Sequence, residues 1–166
     1  MRVQLVDEND QLIGHKERSE IDGYADIFRV TALWVMNAKD EILIAQRKLT
    51  KVISPGKWGP SVSGTVEEGE TYESNVYKEA EEEISLVGEQ FEEGPKLYLE
   101  QPRKHFAQFY TVRVDKDLAD FIPQEDEVEK LEWKSYDELA TDVEKNPDNY
   151  VRTMAACLTV LSKGIK

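Results

Sequence analysis

Three glutamates, Glu79, Glu82 and Glu83, stand at positions i, i+3 and i+4 near the middle of the chain. The surrounding stretch 72–87 repeats apolar residues at helical spacing, which predicts a helix with one face in a core. At about 100° per residue, the three carboxylates lie on one side of that helix. Like charges so placed repel one another, and a hard cation such as Mg²⁺ or Mn²⁺ turns the repulsion into coordination. The spacing therefore predicts a divalent-metal site, with a solvated acidic helix face as the alternative.

The residues upstream of this helix predict the elements that position it. The stretch 61–64 reads as a short strand and 67–71 as a tight loop. Thr71 is a suitable N-cap, with Glu73 and Ser74 in the first helical turn. The predicted unit is a strand, a loop and an acidic helix, in that order.

The stretch 64–86 resembles the Nudix box, G-x5-E-x7-R-E-U-x-E-E-x-G-U, in which U is a bulky aliphatic residue. The positions that match by type are Gly64, Glu70, Glu79, Glu82 and Glu83. Two positions differ, because Lys78 replaces the arginine and Ser85 replaces the second glycine. A lysine cannot form the bidentate fork that an arginine forms with a carboxylate. Ser85 brings a Cβ to a glycine position, so the turn after the helix is expected to differ.

This resemblance implies the fold, the cofactor and the reaction. The implied fold is an α/β/α sandwich with a mixed β-sheet, and the implied cofactor is Mg²⁺ or Mn²⁺. The implied metal ligands are Glu79, Glu82, Glu83 and the Gly64 carbonyl. Glu70 is expected to bridge to Lys78 and steady the loop. The implied enzyme is a metal-dependent pyrophosphohydrolase that cleaves a nucleoside diphosphate linked to another moiety, with Glu79 and Glu82 acting in catalysis.

Two further groups outside the box are candidates for the same site. Arg47, Lys48 and Lys51 form a basic cluster in an acidic chain and are candidates for holding substrate phosphates, with ordinary surface cations as the alternative. The acidic loop 124–127 resembles the Nudix loop that supplies an extra glutamate. Glu127 in this loop, with Glu125 as the second candidate, or Glu82 in the box, is expected to accept a proton from the attacking water. A solvated acidic loop is the alternative for 124–127. Residues 102–105 are interpreted as a plain turn, with substrate contact as the alternative.

Two rival functions stay open. The passage 46–70 resembles the Nudix branch that contains isopentenyl-diphosphate isomerase, but Ser63 stands where that isomerase has its catalytic cysteine. Isomerisation of an isoprenoid diphosphate is therefore disfavoured, and the isomerase-like hydrolase branch remains. A module that binds nucleotides without turnover is the second rival, and the intact glutamates weigh against it.

Length, net charge and the pattern of apolar residues limit the domain organisation, the partners and the location that we expect. At 166 residues the chain is expected to be a single domain, with a hairpin extension at 1–26 and a core at 27–166. The net charge of −13 argues against binding a nucleic-acid polymer. No apolar run suits a membrane span and no signal peptide is apparent, so a cytoplasmic enzyme of small diphosphates is expected. Free hairpin edges make a homodimer possible. Further strands are predicted at 27–36, 41–47, 96–101, 106–114 and 128–133, and helices from 135 and over 147–162.

Overall fold

The computed structural model describes residues 1–164 as nine strands and three α-helices, and the side chains of residues 1–162. The strands are β1 (Arg2–Val6), β2 (Leu12–Glu17), β3 (Ile27–Met36), β4 (Glu41–Arg47), β5 (Trp58–Gly59), β6 (Val62–Thr65), β7 (Glu92–Leu99), β8 (His105–Arg113) and β9 (Val128–Ser135). The helices are α1 (Tyr72–Ile84), α2 (Tyr136–Lys145) and α3 (Met154–Gly164). Short 3₁₀ helices cover Arg18–Glu20, Leu118–Asp120 and Pro147–Asn149. None of the helices within 1–164 has the length and hydropathy that crossing a bilayer requires.

Strand β3 is the centre of a mixed sheet. It runs parallel to β8, in register from Phe28 opposite His105 to Met36 opposite Arg113. Its other edge pairs in turn with β1, β6 and the start of β4, all antiparallel. Strand β4 also pairs with β9 and β5. The apolar sequence of β3 suits this place, because a central strand is covered on both faces.

Helices cover both faces of the sheet. On one face, Val76, Ala80 and Ile84 of α1 pack against Leu33 and Val35 of β3 in one core cluster. On the other face, α2 and α3 pack against the alternate β3 side chains in a second cluster. Successive side chains of a strand point to opposite faces, so one strand serves both cores. This arrangement confirms the predicted α/β/α sandwich.

Helix α1 begins at a capping box and ends in a left-handed turn. The Thr71 hydroxyl accepts a hydrogen bond from the Ser74 N–H at 3.0 Å, and the Ser74 hydroxyl accepts one from the Thr71 N–H at 2.9 Å. At the other end Ser85 has φ 55° and ψ 34°, and its N–H donates to the Glu81 carbonyl at 3.0 Å. Ser85 thus adopts the left-handed conformation that a glycine commonly adopts after a helix, so its Cβ does not prevent this turn. The helix ends at Ile84, before the predicted residue 87.

We expect Ser85→Gly to stabilise the protein. A left-handed conformation costs an L-residue about 1–2 kcal/mol, while a glycine adds entropy to the unfolded chain that offsets about half of this. The net gain is about 0.5–1 kcal/mol, or about 1–4 °C in Tm. The Ser85 hydroxyl contact with the Ile122 carbonyl is long, at 3.4 Å, so little is lost with it. Thermal melts of the two proteins measure the difference, and a lower Tm for the glycine variant would contradict this explanation.

The N-terminal hairpin β1–β2 is fastened to the loop before α1. The Gln4 side-chain amide donates to the carbonyls of Glu67 at 2.8 Å and Glu70 at 2.6 Å. At the hairpin turn, Asp10 accepts from Arg29 Nε at 2.7 Å and from Lys96 Nζ at 2.6 Å. The Tyr72 hydroxyl, on the first residue of α1, donates to the same carboxylate at 3.0 Å. The predicted hairpin extension therefore holds the loop and the start of the acidic helix in place.

We expect Asp10→Asn to destabilise the protein by about 2 kcal/mol, because the partly buried cations of Arg29 and Lys96 lose their counter-charge. Burial opposes ionisation of Asp10, but the hydrogen bonds from Lys96 and Arg29 hold its pKa below the usual value. Thermal unfolding should show a Tm about 4–8 °C lower. The matched control is Asp40→Asn, since Asp40 also has a positive φ of 59° but pairs with Arg113 in solvent. Equal Tm changes in the two variants would show that the contacts of Asp10 stabilise the protein no more than a surface ion pair does.

The predicted final helix is wrong in its first turns. Pro147 begins only a 3₁₀ turn, and α3 begins at Met154. Between them Tyr150 forms a β-bridge with Trp58, and the Val151 N–H donates to the Trp58 carbonyl at 2.9 Å. Pairing with β5 thus extends the backbone where the apolar spacing favoured a helix.

Candidate active site

Glu79 lies directly against Gly64, so the first glycine of the box is required by packing. A Cβ built on Gly64 would be 2.2 Å from Glu79 Cγ and 2.6 Å from Cδ, far inside van der Waals contact. Gly64 pairs with Thr31 on the central strand, which fixes its backbone in the sheet. The close approach places the Glu79 carboxylate against the backbone of β6.

Asn75 holds the inner side of this arrangement. It is fully buried, and its amide donates to Glu70 Oε2 at 2.8 Å, to the Thr65 carbonyl at 3.1 Å and to Glu79 Oε1 at 3.4 Å. Its carbonyl oxygen accepts from the Thr31 hydroxyl. The sequence analysis missed Asn75, although an amide within the apolar stripe of a helix is a usable signal. Asn75 orients two box glutamates at once.

Burial and crowding raise the pKa values of two box glutamates. Burial raises the pKa of Glu79 to about 7, with Glu82 and Glu70 adding to the effect and Lys78 opposing it. Burial also raises the pKa of Glu83 to about 8, aided by Glu79 and opposed by the Ser63 N–H. That N–H donates to Glu83 Oε2 at 3.3 Å. Negative charge on these carboxylates is therefore costly without a cation.

The third carboxylate of the predicted cluster faces outward. Glu82 is exposed on α1, one turn from Glu79. Among the side chains of residues 1–162, no three acidic, histidine or cysteine groups already converge as a metal site. Glu79, by contrast, lies near both neighbours, because the charge of Glu82 raises the pKa of Glu79 and the charge of Glu79 raises the pKa of Glu83.

Lys78 forms the ion pair that the sequence predicted for its position. Its ammonium lies 2.5 Å from Glu70 Oε1 and 3.0 Å from Glu67 Oε1. Partial burial opposes the charge, but the hydrogen bonds to Glu70 and Glu67 raise the pKa of Lys78. The pKa of Glu70 is lowered despite its burial, by hydrogen bonds from Lys78, the Glu67 N–H and Asn75. Lys78 thus contacts two loop carboxylates, one oxygen of each. An arginine would instead bind both oxygens of a single carboxylate.

The three predicted phosphate-binding cations are placed differently. Arg47, at the end of β4, is near Glu127 and Glu83, whose charges favour its ionised form; burial and Arg18 lower its pKa. Lys51 is paired with Glu127 at 2.7 Å, and Lys48 with Glu129 at 3.3 Å. The structure thus brings Arg47, Glu83, Glu127 and Lys51 together and directs Lys48 to a surface ion pair.

A cavity of about 230 Å³ opens beside these residues. Arg47, Glu83, Glu127 and Ser63 line one part of it, and apolar side chains of β3 and β8 form its floor. Three more arginines line it: Arg18, Arg103 and Arg152. Of these, the sequence analysis considered only Arg103, as the alternative to a plain turn. The interpretation of residues 102–105 as a plain turn is therefore incomplete, since Arg103 and His105 reach the cavity.

Comparison with known proteins identifies the family of this chain. The family model of the NUDIX domain matches residues 27–154. An uncharacterized Nudix hydrolase of Yersinia pestis is 26% identical over 159 residues, covering 95% of this chain and 85% of that protein. The crystal structure of DR0079 from Deinococcus radiodurans has a TM-score of 0.85 at 22% identity, covering 96% of this chain and 98% of that one. The NUDIX domain of Shewanella oneidensis NrtR, complexed with ADP ribose, has a TM-score of 0.66 at 14% identity, covering 91% and 94%. With its box glutamates in place and the family model spanning most of its length, the chain belongs to the Nudix hydrolase family.

Proposed function

We propose that this enzyme is a divalent-metal-dependent hydrolase that cleaves the pyrophosphate bond of a nucleoside diphosphate linked to another moiety, or of a similar nucleoside di- or triphosphate. The observation that carries the proposal is that Glu83 and Arg47 line one cavity. Glu79 lies directly against Gly64 and close enough to Glu83 for its charge to raise the pKa of Glu83. Carboxylates for a metal and a guanidinium for a phosphate oxygen thus stand side by side. This is the composition that hydrolysis of a phosphoanhydride requires.

The residues present fit Mg²⁺ or Mn²⁺. The available donors are carboxylate oxygens and a backbone carbonyl, which suit hard cations. Glu79 and Glu83 have raised pKa values, so a bound cation would relieve an existing electrostatic cost. Glu79, Glu83 and the Gly64 carbonyl would hold the metal, and Glu82 would join after rotation. When bound, the metal neutralises the diphosphate and makes a bound water more acidic.

The other residues of the site act on substrate and water. Arg47 would hold a phosphate oxygen on the side of Glu83. Glu127 or Glu82 would accept the proton of the attacking water, and Lys51 keeps the Glu127 side chain in one orientation at 2.7 Å. A comparison of Glu127→Gln with Glu82→Gln decides between them, because loss of the base should lower kcat far more than it changes KM.

Known relatives support a nucleotide as substrate. The Shewanella NrtR domain was crystallised with ADP ribose, and another structure with this fold is an Ap4A hydrolase from C. elegans, with a TM-score of 0.58. Both names describe nucleotides joined through phosphates to a second moiety. Isoprenoid isomerisation is the less favoured candidate, because the cavity presents Ser63 where the isomerase needs a thiol. Nucleotide binding without turnover would leave the box glutamates without a catalytic role.

The test is phosphate and nucleotide release from a panel of nucleoside di- and triphosphates, nucleotide sugars, ADP ribose and dinucleoside polyphosphates. We expect turnover of at least one class with Mg²⁺ or Mn²⁺ and none with EDTA. Binding without release on every member would favour the nucleotide-binding module. Migration of a double bond in an allylic diphosphate would favour the isomerase.

A pH prediction follows from the two raised pKa values. Glu79 and Glu83 bind protons in the folded state well above the ordinary carboxyl pKa, to about 7 and about 8. The folded protein therefore binds more protons than the unfolded chain in this window, and the free energy of unfolding falls as pH rises through it. Thermal melts without metal should show this decline between about pH 5 and about pH 8.

Added Mg²⁺ should reverse the decline, because the cation competes with protons and stabilises the folded state by mass action. The rise in Tm on adding Mg²⁺ should be larger at about pH 8.5 than at about pH 6. A double variant, Glu79→Gln with Glu83→Gln, should lose most of this pH-dependent difference. A rise in Tm that is the same at both pH values in the wild type would contradict the predicted metal site.

A further inference from the structure

The arginines of this chain divide into two groups by their partners. Of seven arginines in the sequence, three are ion-paired with carboxylates, namely Arg2, Arg29 and Arg113. The other four have no carboxylate within 4.0 Å among the side chains of residues 1–162. In a chain of net charge −13, with many acidic side chains available, this separation requires an explanation.

All four of these arginines line the same cavity: Arg18, Arg47, Arg103 and Arg152. They come from four separate segments, which are the 3₁₀ helix after β2, the end of β4, the turn between β7 and β8, and the segment before α3. No lysine with a described side chain lines the cavity, and its acidic lining is Glu83 and Glu127. Since Glu127 already accepts from Lys51, the wall carries an excess of positive charge.

The structure holds at least one of these guanidinium groups in a fixed position. The guanidinium carbon of Arg103 lies 5.2 Å from the centre of the Phe28 ring, and its Nη2 donates to the Ile21 carbonyl at 3.3 Å. A Cβ on Gly23 would be 2.7 Å from Arg103 Nε, so a glycine is needed beside it. Such preorganisation lowers the entropy lost when a ligand binds.

Arg18 and Arg47 line the same cavity. The charge of Arg18 is close enough to lower the pKa of Arg47, in the same direction as the burial of Arg47 itself. Two guanidinium groups that repel each other across a cavity are stabilised when an anion lies between them. The planar guanidinium of an arginine binds two phosphate oxygens at once, which the ammonium of a lysine does not do with the same geometry.

We propose that Arg18, Arg103 and Arg152 form a second anion subsite, and that the preferred substrate carries a further phosphate beyond the diphosphate held by Arg47. This inference rests on the proposed function for the reaction, but the subsite itself binds anions without turnover. The substrate class is then a nucleoside triphosphate, or a diphosphate ester whose other half bears a phosphate. A nucleotide sugar with an uncharged sugar would leave the three arginines without an anion.

The test is calorimetric titration in EDTA with inorganic triphosphate and inorganic pyrophosphate. We expect the wild type to bind triphosphate about tenfold more tightly than pyrophosphate, because the longer anion reaches Arg47 and the arginines of the second subsite together. Arg18→Gln and Arg152→Gln, both at exposed positions, should each weaken triphosphate binding about fivefold. Arg113→Gln is the matched control, since Arg113 pairs with Asp40 outside the cavity.

Two pairs of nucleotides, each differing by one phosphate, then identify where the further phosphate of the substrate lies. ATP against ADP tests a phosphate next to the diphosphate, and NADP⁺ against NAD⁺ tests one on the attached moiety. Tighter binding of the more phosphorylated member that disappears in Arg18→Gln supports the subsite in either pair. Equal binding of triphosphate by the two cavity variants and the Arg113→Gln control would overturn it. Because no metal and no turnover enter this experiment, failure to find a hydrolysed substrate would count against the proposed function alone.

Discussion

Replacing Glu83 by Gln is expected to lower kcat by about three orders of magnitude, which corresponds to about 4 kcal/mol of transition-state stabilisation. Glu83 is the one box glutamate that also lines the cavity, and its carboxylate is held by the Ser63 N–H at 3.3 Å. Glutamine has the same shape but cannot supply the negative charge that a divalent cation needs. Steady-state kinetics on the substrate found in the panel measure the loss.

The same variant should leave the fold intact, which separates a chemical role from a structural one. Ionised Glu83 is unfavourable without a cation, since burial raises its pKa to about 8. At about pH 9, metal-free Glu83→Gln should therefore be at least as stable as the wild type. Glu81→Gln is the matched control, because Glu81 lies on the same helix but is exposed and outside the box pattern. Similar kcat values for the two variants would show that Glu83 has no role in the reaction.

Gly64→Ala is expected to lower kcat/KM by about a hundredfold, through displacement of Glu79. The added methyl group would lie 2.2 Å from Glu79 Cγ and 2.8 Å from its Oε1, so the side chain must move. Displacement of a catalytic group by about 1 Å is enough for a loss of this size. The strain should also cost about 1–3 kcal/mol of stability. Kinetics and thermal melts of the same preparation measure both effects.

Gly14→Ala is the control for this substitution. Gly14 also lies in a strand of the sheet, but a Cβ there meets nothing within 4 Å. The control should keep its activity and its Tm should change little. Full activity in Gly64→Ala would show that Glu79 is not held against β6 in the working enzyme.

The part of the site that the sequence predicted is the part that one helix and its loop build. Helical geometry brings Glu79 and Glu83 within one turn, and the pairing of Glu70 with Lys78 spans two turns and the loop before them. Local spacing carries this information without any knowledge of the tertiary structure. For the same reason the strands at 27–36 and 41–47 match β3 and β4, whose apolar patterns reflect burial.

The rest of the site depends on contacts between distant segments. Arg18, Arg103 and Arg152 share no pattern in the sequence, and they meet only because the hairpin, the β7–β8 turn and the segment before α3 surround one cavity. The predicted start of the last helix is wrong for the same reason, because a contact with a distant segment decides it. The spacing of Tyr150 with the residues of α3 suits a helix, but Tyr150 pairs with Trp58 of β5 instead.

Hydrolysis in ¹⁸O-labelled water tests the central claim most directly. With Mg²⁺ and the substrate class that the panel identifies, the enzyme should place one ¹⁸O atom in one phosphate-bearing product for each P–O–P bond cleaved, as mass spectrometry detects. Glu83→Gln should lose this incorporation together with turnover. Product formation without ¹⁸O in any phosphate, or binding with no product at all, would contradict attack of water on phosphorus at this site.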